Sequence, residues 1–445
     1  MATHSEVGLT HRVLQDVFDG GAHLRFANGT FQHFCGTHWK SLPEAQLGGM
    51  ILKNLPQDFR RGLRPSTAVR EVIAQLKMLS AADHEVPDIS EAHPVINVAN
   101  CELWVPADGS AQPRPHDPSS EQRHCLAVNY DPDAQCPEYD NALSEIFSGS
   151  PAQEELAEFW NEIVGYTLQP SRPDARIFVG SGQGGDGKSS LAGLLMTMLG
   201  KHQVAAMPIS KLDSDDFMIS HLEGKRLLLD DDVAVDTVLP DGILKTISER
   251  KLVTAARKFR DAVEYEVCAV PILLCNSVPR LLDKSSGFRR RLCVIPFDRR
   301  FTDLEADRGL FQRIRETEMS GVLNRALAGL KRVVQRDWKL APPDAVLQAT
   351  NRWWSEATGS AGHLVATPII SAPVPTARPA PRQARAALQA IRGPVRASGS
   401  NPKTGTANLS ELSIHVDESA QGPTVKVQTS GVAITVCMTR DEARA

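Results

Sequence analysis

A glycine-rich segment at residues 182–189, GQGGDGKS, matches the pattern GxxxxGK[ST] in full. In such a loop, backbone amides and the start of the following helix surround phosphate oxygens, the lysine reaches the β- and γ-phosphates, and the hydroxyl binds Mg²⁺. An apolar strand pattern at residues 177–179 precedes it and an apolar helical pattern at 191–199 follows it. The sequence therefore predicts a nucleoside triphosphate site. Its predicted binding residues are Gly182, Gln183, Gly184, Gly185, Asp186, Gly187, Lys188, Ser189 and Ser190.

Three consecutive acids, Asp230, Asp231 and Asp232, follow a run of three leucines. At the end of a strand beside a phosphate loop, one carboxylate can hold Mg²⁺ and the next can polarise the attacking water. The residues alone leave open which acid has which role.

Two further groups follow along the chain. Asn276 ends the apolar run 271–275 and suits a group that orients water and senses the γ-phosphate, although asparagine at a strand end is often only a turn residue. Three arginines at 289–291 precede the apolar run 292–297. An arginine there can stabilise transition-state charge, supplied across a subunit interface. Alone, the three would more simply be solvated surface residues.

The elements that must position these groups form an α/β pattern. From residue 176 to 297, short apolar runs alternate with helical segments, which predicts a central parallel sheet covered on both faces. We predict a mixed α+β N-terminal domain at 1–150, a P-loop NTPase domain at 151–300 and a helical subdomain at 301–365. Residues 366–445, rich in proline and arginine and without aromatic side chains, are predicted to be a largely disordered tail, in which 425–428 and 432–436 could pair as short strands.

The composition sets limits on location and partners. With 49 basic and 53 acidic residues the net charge is −4, so any DNA contact must use a local basic surface. The chain has no apolar run near the roughly 20 residues that span a bilayer, and no signal-peptide layout. None of its eight cysteines forms a CxxC pair, so neither a zinc ribbon nor a redox dithiol is indicated. We predict a cytoplasmic protein without a membrane partner.

The order of these motifs resembles superfamily 3 AAA+ helicases. More specifically, it resembles the phage/plasmid primase-helicase family, which includes poxvirus-type NTPases. The resemblance extends from about residue 10 to 365. It includes LEGKR at 222–226, GVLN at 321–324 with GL at 329–330, and, upstream, NVAN at 97–100, HDP at 116–118 and YDPDA at 130–134.

The resemblance implies roles for individual residues. A β-hairpin facing the pore of a ring falls on residues 253–261, where basic side chains and an aromatic suit single-stranded DNA. The implied catalytic residues are Lys188, Asp231, Asp232, Asn276, Arg290 and Arg291, with Ser189 and Asp231 at the metal and Arg257, Lys258, Phe259 and Arg260 at DNA.

Three departures from the family pattern stand out. Asp186 replaces a frequent asparagine, and Asp232 replaces the usual glutamate, which shortens the implied base by one methylene. The chain also leaves no room upstream for a primase domain, so primase activity is not predicted.

We therefore predict an ATP- and Mg²⁺-dependent DNA helicase of a phage, plasmid or prophage, acting as a ring, a hexamer by resemblance. Its predicted partners are single-stranded or forked DNA, further copies of itself, and a primase or replication initiator. Two alternatives stay open: a nucleotide-switched DNA-binding or loading module without unwinding, and a degenerate mobile-element product.

Overall fold

The computed structural model describes residues 6–27, 29–54, 65–81, 94–169, 173–215, 217–234, 237–257, 260–359, 413–419, 422–429 and 432–437. The chain divides into two compact units, residues 1–365 and 366–445. Within the described residues, no helix is both long enough and apolar enough to cross a membrane.

The N-terminal elements build a core of their own. Three strands form an antiparallel sheet, and the first two make a hairpin in which Ala27 opposes Thr30. The elements are α1 (Glu6–Val17), β1 (Leu24–Ala27), β2 (Thr30–Phe34), β3 (Trp39–Leu42), α2 (Glu44–Asn54) and α3 (Pro65–Leu79). Their buried side chains, from Leu9 to Leu76, form one cluster.

A second group of elements leads into the central sheet. These are β4 (Val95–Val98), β5 (Cys101–Trp104), β6 (Gln112–Arg114), α4 (Pro137–Phe147) and α5 (Gln153–Leu168). Their apolar side chains share one core with the sheet and the later helices, so packing runs across residue 150. The domain boundaries at 150 and 300 stay predictions.

The central sheet has five parallel strands in the order β13-β7-β12-β9-β8. The strands are β7 (Ile177–Gly182), β8 (Val204–Ala206), β9 (Leu227–Val233), β12 (Val270–Cys275) and β13 (Leu292–Phe297). Their apolar runs are buried because side chains alternate between two cores, one on each face. The predicted α/β fold class is confirmed. Cys275 and Cys293 lie in these strands as buried free thiols.

Among the described residues, seven α-helices follow β7. They are α6 (Lys188–Leu199), α7 (Lys211–Ser214), α8 (Asp241–Ser248), α9 (Ser286–Arg289), α10 (Leu310–Thr317), α11 (Met319–Gln335) and α12 (Asp344–Ala357). Helix α11 packs closely on α5: a Cβ on Gly165 would overlap the carbonyl oxygen of Ala326, and one on Gly329 would overlap that of Asn161. Glycine at these positions lets the two backbones approach.

A hairpin of β10 (Leu252–Arg257) and β11 (Arg260–Glu266) stands apart from the sheet, as predicted. Its base is anchored, since Val253, Ala255 and Tyr265 are buried in the second core. At the sheet edge, α12 covers β13, and the Val294 amide donates to Thr350 Oγ1 at 2.9 Å.

The unit 366–445 contains one antiparallel sheet among its described residues. Its strands are β14 (Ser413–Ser419), β15 (Gly422–Thr429) and β16 (Val432–Cys437), in that order. The two predicted short strands lie in β15 and β16 and do pair. The disorder predicted for 366–412 falls outside the described residues.

Candidate nucleotide-binding site

The phosphate loop connects a buried strand to a helix. Strand β7 ends at Gly182 and α6 begins at Lys188, as the motif requires. A side chain at Gly187 is excluded twice, by its φ of +87° and by Ile146 Cδ1, which would lie 2.7 Å from a Cβ. Positive φ angles occur at Gly184, Gly185 and Gly187. These glycines are needed by the backbone path of the loop.

Lys188 is buried and held by two acceptors. Its Nζ lies 2.7 Å from Asp186 Oδ2 and 2.8 Å from Asn276 Oδ1. The lysine is 4% exposed and Asp186 is 3% exposed, so this ion pair is enclosed by protein. Because β12 is the neighbour of β7, the residue that follows β12 lies beside the loop. The structure thus brings together the predicted lysine and the predicted sensor.

The three acids have different surroundings. Asp230 is buried, and its two carboxylate oxygens accept from the Ile209 amide at 2.7 Å and the Asp232 amide at 3.4 Å. Burial raises the pKa of Asp230. Asp232 is exposed, and its Oδ1 accepts from Asn276 Nδ2 at 3.4 Å. Asp231 is exposed as well. Asp230 is therefore a structural residue, which leaves Asp231 and Asp232 for chemistry.

The structure separates the two predicted arginines. Arg290 is exposed at the end of α9. Arg291 is 5% exposed, pairs with Glu249 and donates to the Gly287 carbonyl. A guanidinium buried inside its own chain cannot be donated to a neighbour. Of the pair, only Arg290 stays a candidate for donation in trans.

The tip of the hairpin is basic and has one ionic anchor. Arg257 pairs with Glu223, which precedes β9, and opposes Arg260 across the hairpin. Lys258 and Phe259, the centre of the predicted DNA-binding segment, lie outside the described residues. The structure thus confirms the hairpin and leaves its DNA contact a prediction.

Two cavities flank the phosphate loop. One, of about 420 Å³, is bounded by Gly185, Gly187 and Ser190 of the loop region and by side chains that sequence reasoning missed. These include Ile146, Phe301 and Phe311. The Phe301 amide donates to the Gly185 carbonyl at 2.8 Å, which fixes this wall against the loop. No local pattern marks these residues, because they come from three separate parts of the chain.

The second cavity, of about 530 Å³, lies on the sensor side of the loop. Its walls include Gly182 and Asn276, and Arg352 and Trp353 of α12. Polar and charged groups dominate here, in contrast to the apolar wall of the first cavity.

The residues predicted to bind Mg²⁺ suit an ion that takes few of its ligands from the protein. In the part of the chain that the structure describes, no three His, Cys, Asp or Glu side chains form a ready metal site. Ser189 and Asp231 are both exposed. One hydroxyl and one carboxylate suit Mg²⁺ that is completed by water and substrate phosphates.

Two family descriptions match separate parts of the chain. One, described as "D5 N terminal like", covers residues 11–148. The other, a family of unknown function named DUF5906, covers residues 180–291 and so includes both the loop and the acids.

Two known proteins resemble the chain. The "Putative helicase L207/L206" of Acanthamoeba polyphaga mimivirus is 26% identical over 153 residues, which is 33% of this chain but 16% of that protein. The chain thus matches only a small part of that relative. The apo structure of the NrS-1 C-terminal region has a TM-score of 0.50 at 14% identity and covers 77% of this chain and 74% of that one. With the D5 N-terminal-like match, these likenesses support the resemblance of the chain to phage-type primase-helicases.

Proposed function

We propose that this chain is an ATP-dependent DNA helicase or translocase of a phage, plasmid or prophage replication system. The observation that carries the proposal is the contact between Lys188 and Asn276, with Asp232 next along the sheet edge. Lys188 follows β7, Asn276 follows β12 and Asp232 lies near the end of β9, so the ends of three adjacent strands bring groups of different chemistry to the place where a γ-phosphate would lie. The mimivirus relative is itself named a helicase.

ATP would lie across the loop with its base against the apolar wall of the first cavity. The other side chains of that cavity include Glu145, Asp307 and Arg315. The loop amides and Lys188 would bind the phosphates. The purine would then enter the 420 Å³ cavity, where Phe301 and Phe311 offer aromatic contact. Ser190 borders this cavity and would lie near the start of the phosphate chain.

Hydrolysis would use groups from two subunits. Ser189 and Asp231 would hold Mg²⁺, while Asp232 and Asn276 would orient the attacking water. Arg290 is exposed and lies just before β13, the strand at one edge of the sheet. It would stabilise transition-state charge in the site of a neighbouring copy. This role requires a second copy of the chain beside the first, as in a ring.

The hairpin would contact single-stranded DNA in that ring. Arg257 and Arg260 flank its tip, so several copies would line a pore with positive charge despite the net charge of −4.

The test is ATP hydrolysis with and without single-stranded DNA, for the wild type, Lys188→Ala and Lys201→Ala. Lys201 is an exposed lysine just beyond the other end of α6 and serves as the matched control. We expect DNA-stimulated turnover in the wild type and the control, and a loss of at least about 100-fold in Lys188→Ala. A strand-displacement assay then tests unwinding. ATP binding without turnover in the wild type would contradict the proposal and favour a nucleotide-switched DNA-binding module.

A further inference from the structure

The phosphate loop contains a carboxylate that accepts hydrogen bonds from the loop itself. Asp186 Oδ2 accepts from the Gly184 amide at 3.2 Å, and Oδ1 accepts from the Lys188 amide at 3.4 Å. Oδ2 also lies 2.7 Å from Lys188 Nζ. One side chain thus takes two backbone donors and the ammonium group of the same loop.

These are donors of the type that a phosphate loop offers to its ligand. Backbone amides in a glycine-rich turn, together with the lysine, form a concave site for an anion. A carboxylate is an anion with two acceptor oxygens, so it is chemically equivalent to part of a phosphate group in this position.

The packing around Asp186 holds the carboxylate in place. A Cβ on Gly182 would overlap Asp186 Oδ2, so glycine at this position leaves the space that the carboxylate fills. Asp186 is 3% exposed, and solvent therefore screens its charge little.

We propose that Asp186 is an internal competitor for the phosphate chain of the nucleotide. The inference rests on the proposed nucleotide-binding function. Phosphates can take the amides of Gly184 and Lys188 only after the carboxylate has moved away, and its negative charge opposes theirs at short range. Lys188 keeps Asn276 as a second acceptor during this exchange, since Asn276 Oδ1 lies 2.8 Å from Nζ. Asp186 therefore sets nucleotide affinity and favours ligands with enough phosphate charge to displace it.

The experiment compares Asp186→Asn with the wild type in binding ATP and inorganic tripolyphosphate, each in the presence of Mg²⁺. Asparagine keeps an acceptor for the loop and removes the charge. We expect both ligands to bind about tenfold more tightly to the variant. Tripolyphosphate has no base, so an equal gain with this probe assigns the effect to the phosphate chain. Unchanged or weaker binding of both ligands would overturn the inference.

Asp298→Asn is the matched control. Asp298 is an exposed acid that borders the 530 Å³ cavity, so this change removes the same charge near the loop but none of the three contacts. We expect its affinities to change by less than about twofold. An equal gain in the control would show a general charge effect and overturn the inference.

Thermal melting provides an independent readout. Without ligand, Asp186→Asn should melt at a lower temperature because Lys188 loses its buried partner, whereas the shift caused by ATP should increase. A purely structural aspartate would lower both. If the asparagine variant does not fold, Asp186→Ser takes its place. If neither wild type nor variant binds either ligand, the proposed function fails; if the wild type binds and the variant binds no better, only this inference fails.

Discussion

The phosphate loop and the β10–β11 hairpin both contain basic side chains, but these side chains differ in burial and in their partners. In the loop, Lys188 is buried and has two acceptors within 2.8 Å. In the hairpin, some of the apolar side chains at the base are buried, and Arg257 near the tip is partly exposed and pairs with Glu223. The loop therefore holds its lysine inside the protein, whereas Arg257 of the hairpin lies at the surface.

This difference in burial indicates how much conformational entropy each region loses when it binds its ligand. A buried, hydrogen-bonded group is already oriented and loses little entropy when it binds. Arg257 is partly exposed and held by its ion pair with Glu223, so DNA that binds it must replace that pair and order the side chain. Substitutions at the loop should therefore change nucleotide binding and hydrolysis, and substitutions at the hairpin should change DNA affinity and its salt dependence.

The largest effect should come from Arg290→Ala. Removing an arginine that acts in trans should lower DNA-stimulated hydrolysis by about 1,000-fold while ATP binding and melting temperature stay near wild type. Arg291→Ala is the informative partner, because it removes the buried member of an ion pair with Glu249, which keeps its second ion pair with Lys251, and should cost about 2 kcal/mol of stability. Equal hydrolysis in Arg290→Ala and wild type would remove this arginine from the mechanism.

Asn276→Ala should have the next largest effect. Loss of the group that contacts both Lys188 and Asp232 should lower kcat by about 100-fold with a small change in ATP affinity. Ser277→Ala, at the following residue, is the control and should retain most activity. A loss confined to KM would show that Asn276 only binds substrate.

Protonation of His124, which lies near the residue that anchors the hairpin, should make the free energy of unfolding depend on pH. Burial, followed by the charge of Arg226, lowers the pKa of His124 to about 3, and His38, Arg123 and Lys225 add to the shift. The folded state thus keeps this histidine neutral, so its contribution is complete above pH 6.5 and is lost as the pH falls toward 3. His124 should account for about 2 kcal/mol of lost stability between pH 7 and 5.

The measurement is chemical unfolding of wild type and His124→Gln at both pH values. The variant should lose less stability between them, although His38, whose pKa burial lowers to about 4, keeps part of the dependence. His124 borders Gly224, which follows the glutamate that anchors the hairpin. Identical losses in the two proteins would show that His124 is protonated in the folded state as readily as in the unfolded one.

The smallest effect should come from the hairpin tip. Arg257→Ala should weaken single-stranded DNA binding severalfold and reduce its salt slope by about one, without changing hydrolysis in the absence of DNA. Arg250→Ala is the matched control, since Arg250 pairs with Glu266 at 2.7 Å at the base of the same hairpin. Equal losses in the two variants would place the DNA contact elsewhere.

Features determined by short-range patterns were predictable from the sequence. The buried strands follow from continuous apolar runs, and the loop follows from glycine spacing between a strand and a helix. The hairpin was predicted only through the resemblance to a family. Asn276 was predicted as a sensor at the end of a strand, and it lies beside Lys188 because parallel strands end at one edge of the sheet.

Features that depend on distant contacts were not predictable. Arg290 and Arg291 are adjacent and chemically identical, but Arg291 is buried and pairs with Glu249, which lies about 40 residues earlier in the chain. Similarly, Asp230 differs from the two neighbouring acids because its carboxylate accepts a hydrogen bond from the Ile209 amide, which comes from a distant part of the chain. The apolar wall of Ile146, Phe301 and Phe311 gave no local signal, since each residue alone is an ordinary hydrophobic position.

The close contact between α5 and α11 has a consequence for how this protein can be divided and inherited. The two matched families end at residues 148 and 291, yet α5 and α11 both lie outside them and fit only each other at Gly165 and Gly329. A gene rearrangement that replaced α5 or α11 alone would bring in a foreign helix, which could pack only if it has glycine at the matching position. The unit that can be exchanged between relatives is therefore larger than either region of recognisable similarity.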